Sequence, residues 1–358
     1  MKRPRVLLSL LLLLGFATLL AGCSERDRPL DSPVRFEGAI FGSFYQATIA
    51  DPLTQGEARE LEEGIEAVLD DVDQVMSIYI EDSELMAFNQ APVGEWQPLS
   101  DELMEVLAIS RAVADKSEGA FDVTIGGLVN LWSFGAEARP REIPENELLD
   151  ERLETVGVDA LELDAEGLQA RRTRDVFIDL GGVAKGHATD RVAAYLDQEG
   201  LEHYLVNLGG DLIGRGFRDA DAEPWRIGVE APLEDRQEAQ YVLPIRDLSL
   251  ATSGDYRNYF EEAGQRFSHT LDPRSGRPIE HRLASVSVLH PSHAWADAWA
   301  TALMVLGDEA GMALAREQGL KVLMIVREEG GDWTSRVSPA FVDAFGEALV
   351  AELGLEVH

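Results

Sequence analysis

The order of the predicted strands limits what this chain of 358 residues can fold into more than any other feature. From about residue 158 onward, strand-like segments follow one another, and helix-like segments interrupt them only after Gly182, near His293 and close to the C-terminus. Strands that are not each followed by a crossover helix pair mostly with antiparallel neighbours. The pattern therefore predicts an α+β fold with a mixed, largely antiparallel sheet and flanking helices.

Local patterns predict the individual elements. Apolar residues at helical spacing predict helices over residues 56–76, 101–116, 145–156, 293–306 and 345–353. GAIFGSFYQATIA, from residue 38, predicts a first strand, and DVFIDL, from residue 175, predicts a strand that runs into a glycine pair. About 320 residues with a substantial apolar fraction suffice for one large domain or two intertwined lobes.

The N-terminus has the three parts of an export signal: a basic start, an apolar core and a small residue, Gly22, before Cys23. We predict that residues 1–22 are a lipoprotein signal peptide, the alternative being an uncleaved anchor helix. Residues 23–36 are polar and contain two prolines, which predicts a flexible tether, and residues 37–358 are then the folded domain. Cys23 is the only cysteine, so the chain can form no internal disulfide.

The charge of the chain argues against two kinds of partner. Lys and Arg number 31 against 65 Asp and Glu, which gives a net charge of −34 at pH 7. Such a surface repels nucleic acid and anionic lipid headgroups, so we expect no nucleic-acid partner.

DLGGVAKGHATD, from residue 179, combines the predicted strand, a glycine pair and a helix start. Exposed N–H groups and the positive end of a helix dipole could bind an anion there. Gly186 is followed by His187, so the stretch is not a P-loop, and it contains no GxGxxG. A tight packing turn with no ligand explains the pattern equally well.

Asp297 and Thr301 are four residues apart, so on a helix they lie on one face. A carboxylate and a hydroxyl suit magnesium, which keeps waters and takes further oxygens from phosphates. Alternatively, Asp297 forms hydrogen bonds within a buried helix and binds nothing.

Three further stretches contain candidate site residues. Tyr79 follows a helix and is either a ligand contact or a half-buried core ring. Phe121 and Asp122 lie among glycines, where a flat ring could approach the backbone, although an ordinary turn would look the same. His269, just before an Asp-Pro turn, is either a catalytic or a structural histidine.

Taken together, eight stretches in this order resemble the ApbE family of FAD:protein FMN transferases, and the LAGC ending of the signal resembles a lipobox. The stretches are GSFYQATI, MSIYIEDSELMAFN, GAFDVT, DLGGVAKG, NLGGD, TSGDYRNYF, SHTLDPRSG and ADAWATALMVLG. The resemblance implies an α+β enzyme that uses magnesium to transfer FMN from FAD to a threonine or serine and releases AMP. The implied acceptors are subunits of membrane redox complexes of the Na⁺-translocating NADH:quinone reductase or Rnf type.

The resemblance also assigns roles to residues. It implies flavin contacts from Phe41, Tyr79, Ala120, Phe121, Asp122, Asp179, Lys185 and Leu271. It implies magnesium bound by the Gly182 carbonyl, Asp297 and Thr301, so the anion at the glycine turn would be the pyrophosphate of FAD. His269 is the expected base for the acceptor hydroxyl, with Asp255 or a metal-bound water as alternatives. Acylated Cys23 would anchor the protein to a membrane, expected to be the inner membrane, facing the periplasm.

Two positions depart from the family pattern, and two other activities fit the same residues. The family often has Met-Gly-Thr where this chain has Phe41-Gly42-Ser43, and Tyr where it has His187. Both departures concern the expected wall of the flavin site. An FAD pyrophosphatase that produces FMN and AMP would share every flavin and metal residue. A non-enzymatic flavin-binding lipoprotein would share the flavin contacts.

Overall fold

The computed structural model describes residues 28–358, apart from residues 138, 234, 235, 237, 257, 263, 329 and 331. The predicted signal peptide and Cys23 lie outside the described residues. Within the described ranges, every helix is too short or too polar to cross a bilayer.

A nine-stranded sheet forms the centre of the protein. With elements numbered in chain order, its strands lie side by side as β1 (Val34–Ile40), β2 (Ser43–Ile49), β6 (Tyr204–Leu208), β7 (Asp211–Arg215), β10 (Leu248–Gly254), β15 (Leu283–His290), β16 (Lys321–Arg327), β17 (Trp333–Val337) and β18 (Glu356–Val357). All neighbouring pairs are antiparallel except the last, β17 with β18. The predicted α+β class with a mixed, largely antiparallel sheet is confirmed.

Four smaller sheets accompany the nine-stranded sheet within the described residues. One has three strands in the order β3 (Gln97–Pro98), β5 (Gln169–Arg172) and β4 (Leu161–Asp164). Three hairpins pair β8 (Trp225–Glu230) with β9 (Ala239–Ile245), β11 (Tyr259–Glu262) with β12 (Gln265–Ser268), and β13 (Leu271–Asp272) with β14 (Arg277–Pro278).

The helices are α1 (Gln55–Met76), α2 (Glu84–Gln90), α3 (Asp101–Lys116), α4 (Gly126–Leu131), α5 (Asn146–Leu153), α6 (Ala184–Gln198), α7 (His293–Glu317), α8 (Pro339–Phe345) and α9 (Glu347–Glu352). Side-chain caps mark the starts of α1 and α3: Thr54 and Glu57 form a capping box before α1, and the Ser100 hydroxyl accepts the Leu103 N–H at the start of α3. The predicted helices at residues 56–76 and 101–116 are confirmed. The predicted helix at 293–306 is the first part of α7, which continues past a kink at Gly307.

The sheet separates two apolar layers. In β16, Val322, Met324 and Val326 pack toward α1, α6 and α7, whereas Leu323 and Ile325 pack toward the β8–β9 hairpin and α8. This alternation follows from the two-residue period of a strand. Both faces of the central strands are therefore covered.

A third apolar cluster holds the loop around residue 269 against α4. Trp132 stacks on Phe267 with ring centroids 5.7 Å apart, and its indole N–H donates to the Gly276 carbonyl at 2.8 Å. The end of β12 and the β13–β14 hairpin are therefore fixed beside the helix that follows the Phe121 turn.

Two predicted strands differ from the structure. The segment from residue 38 is a hairpin rather than one strand, because Phe41 and Gly42 both have positive φ (52° and 68°) and reverse the chain. The segment 175–180 is not a strand. Its backbone at Ile178 is bound instead by the side-chain amide of Asn89, which donates at 2.9 Å and accepts at 2.7 Å.

The boundary of the predicted tether also needs correction. The Leu30 N–H donates to the Leu53 carbonyl at 2.8 Å, and Phe36 in β1 belongs to the main core. Residues 28–36 therefore belong to the folded domain, and the remainder of the predicted tether, residues 23–27, lies outside the described residues. The predicted helix at 345–353 is the short helix α9 (Glu347–Glu352). Phe345 belongs to α8 instead, because Gly346 between the two helices has φ 84°.

Candidate active site

A cavity of about 600 Å³ lies where α6, α7 and the β1–β2 turn meet the loop around residue 269. Its volume falls in the range of small-molecule sites. Every residue that the family resemblance assigned to flavin or metal lines this cavity, and so does His269, the expected base: Phe41, Tyr79, Ala120, Phe121, Asp122, Asp179, Gly182, Lys185, His269, Leu271, Asp297 and Thr301. The fold thus brings together residues that are up to 260 positions apart.

The glycine turn allows α6 and α7 to approach each other closely. A Cβ on Gly186 would lie 2.6 Å from the His293 carbonyl oxygen, and one on Gly182 would lie 3.0 Å from Thr301 Oγ1. The Gly186 N–H donates to Asp297 Oδ2 at 3.0 Å. The glycines of this turn therefore serve tight helix packing, as the alternative interpretation of the sequence predicted. The same packing places the turn beside Asp297 and Thr301.

A cluster of charged groups surrounds the first turn of α6. The Lys185 ammonium donates to the carboxylate of Asp211, which is buried. Burial alone would raise the pKa of Asp211, but Lys185 and His293 lower it below its ordinary value. Asp211 in turn raises the pKa of Lys185, whereas burial raises the pKa of Asp297.

Sequence reasoning missed Asp211 and His293 as parts of the site. Asp211 belongs to one of the stretches that resemble the family, and His293 begins a predicted helix. Neighbouring residues do not predict either position as part of the site, because Asp211 and Lys185 come into contact only when β7 packs beside α6.

The donor set around Asp297 fits magnesium. Asp297 and Thr301 lie one turn apart on α7, and the backbone of Gly182 lies beside the Thr301 hydroxyl. Hard oxygen donors of this kind are those that magnesium prefers. Across the described residues no three His, Cys, Asp or Glu side chains cluster as metal ligands. An ion bound here would therefore need additional oxygens from water or phosphate.

Tyr79 lies at the rim of the cavity and is 72% exposed, so its alternative as a half-buried core ring is wrong. Phe121, by contrast, is buried and reaches the cavity from the core. Asp179 accepts the Gly181 N–H at 2.8 Å, which orients the turn before Gly182. Burial raises the pKa of Asp179, and it likewise raises that of Asp122.

The ring of His269 is held in one orientation. Its Nδ1 lies 2.9 Å from the Asn258 carbonyl oxygen, which only accepts, so Nδ1 carries the hydrogen and Nε2 is the basic nitrogen. Burial lowers the pKa of His269, although the bond to the Asn258 carbonyl partly opposes this. Phe134 packs against the ring with centroids 6.3 Å apart.

Asp255 and His187, which the sequence analysis considered for the site, do not line the cavity. Asp255, an alternative base, binds the Arg327 guanidinium through both oxygens and does not line the cavity. His187, expected at the flavin wall, points toward α3 instead, with Nε2 2.9 Å from Glu102 Oε1.

Comparison with known proteins shows which family the chain is similar to. A sequence model described as the ApbE family matches residues 41–324. The FAD:protein FMN transferase of Escherichia coli K12 is 38% identical over 336 residues, which cover 92% of this chain and 95% of that protein. The FAD:protein FMN transferase of Vibrio cholerae is 40% identical over 321 residues, which cover 90% and 94%.

Solved structures show the same similarity. The flavin transferase ApbE from Vibrio cholerae matches with a TM-score of 0.80 at 37% identity and covers 88% of this chain and 99% of its own. The flavinyl transferase ApbE from Pseudomonas stutzeri, in its apo form, matches with a TM-score of 0.79 at 36% identity, with 88% and 97% covered. Because the family match spans most of the chain and these relatives are similar almost from end to end, the chain belongs to the ApbE family.

Proposed function

We propose that this protein transfers FMN from FAD to a threonine or serine hydroxyl of an acceptor protein, with magnesium as cofactor and AMP as the second product. The observation that carries the proposal is the meeting of three groups in one cavity: the basic Nε2 of His269, the Lys185 ammonium and the oxygens around Asp297. Relatives of similar length bear the name FAD:protein FMN transferase.

The transfer replaces one phosphorus–oxygen bond with another. The acceptor oxygen bonds to the phosphorus on the FMN side of the pyrophosphate, and the bond from that phosphorus to the bridging oxygen breaks, so AMP leaves. An alcohol is a weak nucleophile at neutral pH, so its proton must be removed as it attacks. Nε2 of His269 accepts that proton.

The chain also supplies electrostatic stabilisation. The Lys185 ammonium and the N-terminal end of α6 place positive charge where the pyrophosphate would lie. Gly182, Asp297 and Thr301 would hold magnesium, which when bound would neutralise phosphate oxygens. Phe41, Tyr79 and Phe121 offer apolar ring surface for the isoalloxazine.

Mass spectrometry tests the proposal. The purified protein is incubated with FAD, magnesium and a peptide of the type Asp-Gly-x-(Ser/Thr)-Gly-Ala-Thr, and we expect a covalent FMN adduct with one AMP released per adduct. The control peptide has alanine at the acceptor position and should remain unmodified. Release of FMN at an undiminished rate without any peptide would favour a pyrophosphatase, and intact FAD after long incubation would favour flavin storage.

We further infer that acylated Cys23 anchors the protein to the periplasmic face of the inner membrane, where subunits of Na⁺-translocating NADH:quinone reductase or Rnf-type complexes are the acceptors. The lipobox-like LAGC supports the anchor. A tether of five residues, 23–27, spans at most roughly 17 Å when fully extended. The domain would therefore work close to the bilayer surface.

A further inference from the structure

An ion pair with one buried partner lies at the wall of the cavity. The side chain of Lys185 is 39% exposed and lines the cavity, whereas its partner Asp211 is 4% exposed and does not. The ammonium therefore has Asp211 on one side and the cavity on the other.

The surroundings of Asp211 direct one of its oxygens to Lys185. Its Oδ1 accepts the Thr252 N–H at 3.4 Å and lies 3.7 Å from Nε2 of His293. His293 is wholly buried, and neither of its ring nitrogens has a hydrogen-bond partner among the described residues. Oδ2 is the oxygen bound by Lys185.

Lys185 has a second carboxylate within electrostatic reach. Asp297 is 5% exposed and lines the same cavity as Lys185, and its Oδ2 lies 3.0 Å from the backbone nitrogen of Gly186, the next residue after Lys185. Yet Lys185 pairs with Asp211, and Asp297 forms no ion pair within the described ranges; its Oδ2 accepts the Gly186 N–H instead. Two buried carboxylates thus lie beside one ammonium group, and the ammonium pairs with Asp211.

We propose that Asp211 is a positioning residue for flavin transfer, which keeps the Lys185 ammonium on the cavity wall and away from Asp297. Lys185 is then free to contact a phosphate of FAD, and the Asp297 carboxylate stays available to magnesium. Without the charge of Asp211, the ammonium would pair with Asp297, because Asp297 is buried and a buried carboxylate without a partner is costly. This inference rests on the proposed function for the identity of the ligand.

The variant Asp211→Asn tests the role, because it removes the charge and keeps the shape. FAD binding is followed by flavin fluorescence as magnesium is titrated, a measurement that needs no turnover. We expect the magnesium concentration for half-maximal binding to rise at least about tenfold, the effect of losing one charge-assisted contact. In turnover, KM for FAD should rise more than kcat falls, and Asp211→Glu, which keeps the charge, should restore most of the wild-type magnesium dependence.

Asp308→Asn is the matched control. Asp308 is also a buried carboxylate, bound by Arg282 and Arg336 on the far part of α7, and it does not line the cavity. This variant should lose thermal stability and keep the wild-type magnesium titration. If the magnesium concentration for half-maximal FAD binding rises equally in both variants, Asp211 only supports folding. If it does not change in Asp211→Asn, the proposal is overturned.

A double-mutant cycle shows whether Asp211 acts through Lys185. In a Lys185→Met background no ammonium can compete for Asp297, so adding Asp211→Asn should not raise the magnesium requirement further. A further tenfold rise would contradict the assigned role. If the wild type binds FAD with magnesium but never modifies an acceptor, the proposed function fails while these titrations still decide the role of Asp211.

Discussion

At the scale of single residues, the bond between His269 and the Asn258 carbonyl decides which ring nitrogen can act as a base. We expect His269→Ala to lower the rate of FMN transfer by about 10²–10⁴-fold, the usual contribution of a positioned base. FAD affinity should change much less. An unchanged maximal rate with weaker FAD affinity would make His269 a binding residue.

The lowered pKa of His269 also predicts the pH dependence of the reaction. Burial disfavours the charged imidazolium, so the ring stays neutral and basic to a lower pH than a free histidine, whose pKa is about 6.5. At saturating FAD, the maximal rate should therefore fall only when the pH drops below about 6.5. Parallel profiles of wild type and His269→Ala check this, since the acidic limb should be missing from the variant.

At the scale of elements, the β1–β2 turn combines a strained residue with the cavity wall. Phe41 adopts φ 52°, which costs a non-glycine residue free energy, and turns of this kind favour Asn-Gly. Phe41→Asn should therefore raise the melting temperature and weaken FAD binding, because the apolar ring is lost. A thermal melt and a fluorescence titration test the two effects; a less stable variant with normal FAD affinity would contradict this account.

The contact of α6 with α7 depends on the missing side chain of Gly186. Gly186→Ala would force its Cβ against the His293 carbonyl, so we expect a loss of about 1–3 kcal/mol in the free energy of unfolding, as for overpacked cores. The matched control is Gly127→Ala in α4, where the nearest atom to the new Cβ is Arg152 Cδ at 3.9 Å. Denaturant titration should show the control unchanged or slightly stabilised; equal losses would mean that helix contact is not the cause.

At the scale of the whole molecule, the proposed anchor and the folded domain are separable. Residues 28–36 are attached to the domain, and Cys23 precedes them, so Cys23→Ser should remove the lipid without disturbing a described contact. We expect this variant to be folded, active on the peptide and released from membranes on cell fractionation. Persistent membrane binding after a high-salt wash would instead favour an uncleaved anchor helix.

Much of this protein is determined by local sequence. The helices at residues 55–76 and 101–116 and most strands of the large sheet follow from apolar periodicity and capping side chains, which act over a few residues. The ordered series of short stretches predicted the ApbE family and its fold, and both are confirmed by the comparisons. The same stretches predicted which residues belong to the site, and those residues line the cavity. The role of each residue stays a prediction.

Only the tertiary structure decided how distant groups share partners. Residues 175–180 have the composition of a strand, but Asn89, far away in the chain, binds their backbone. Arg327 neutralises Asp255, and Asp211 takes the ammonium of Lys185, across separations of 72 and 26 residues. A hydrogen bond or an ion pair depends on where two groups lie in space, and at such separations that position depends on the packing of the whole sheet and its helices rather than on neighbouring residues.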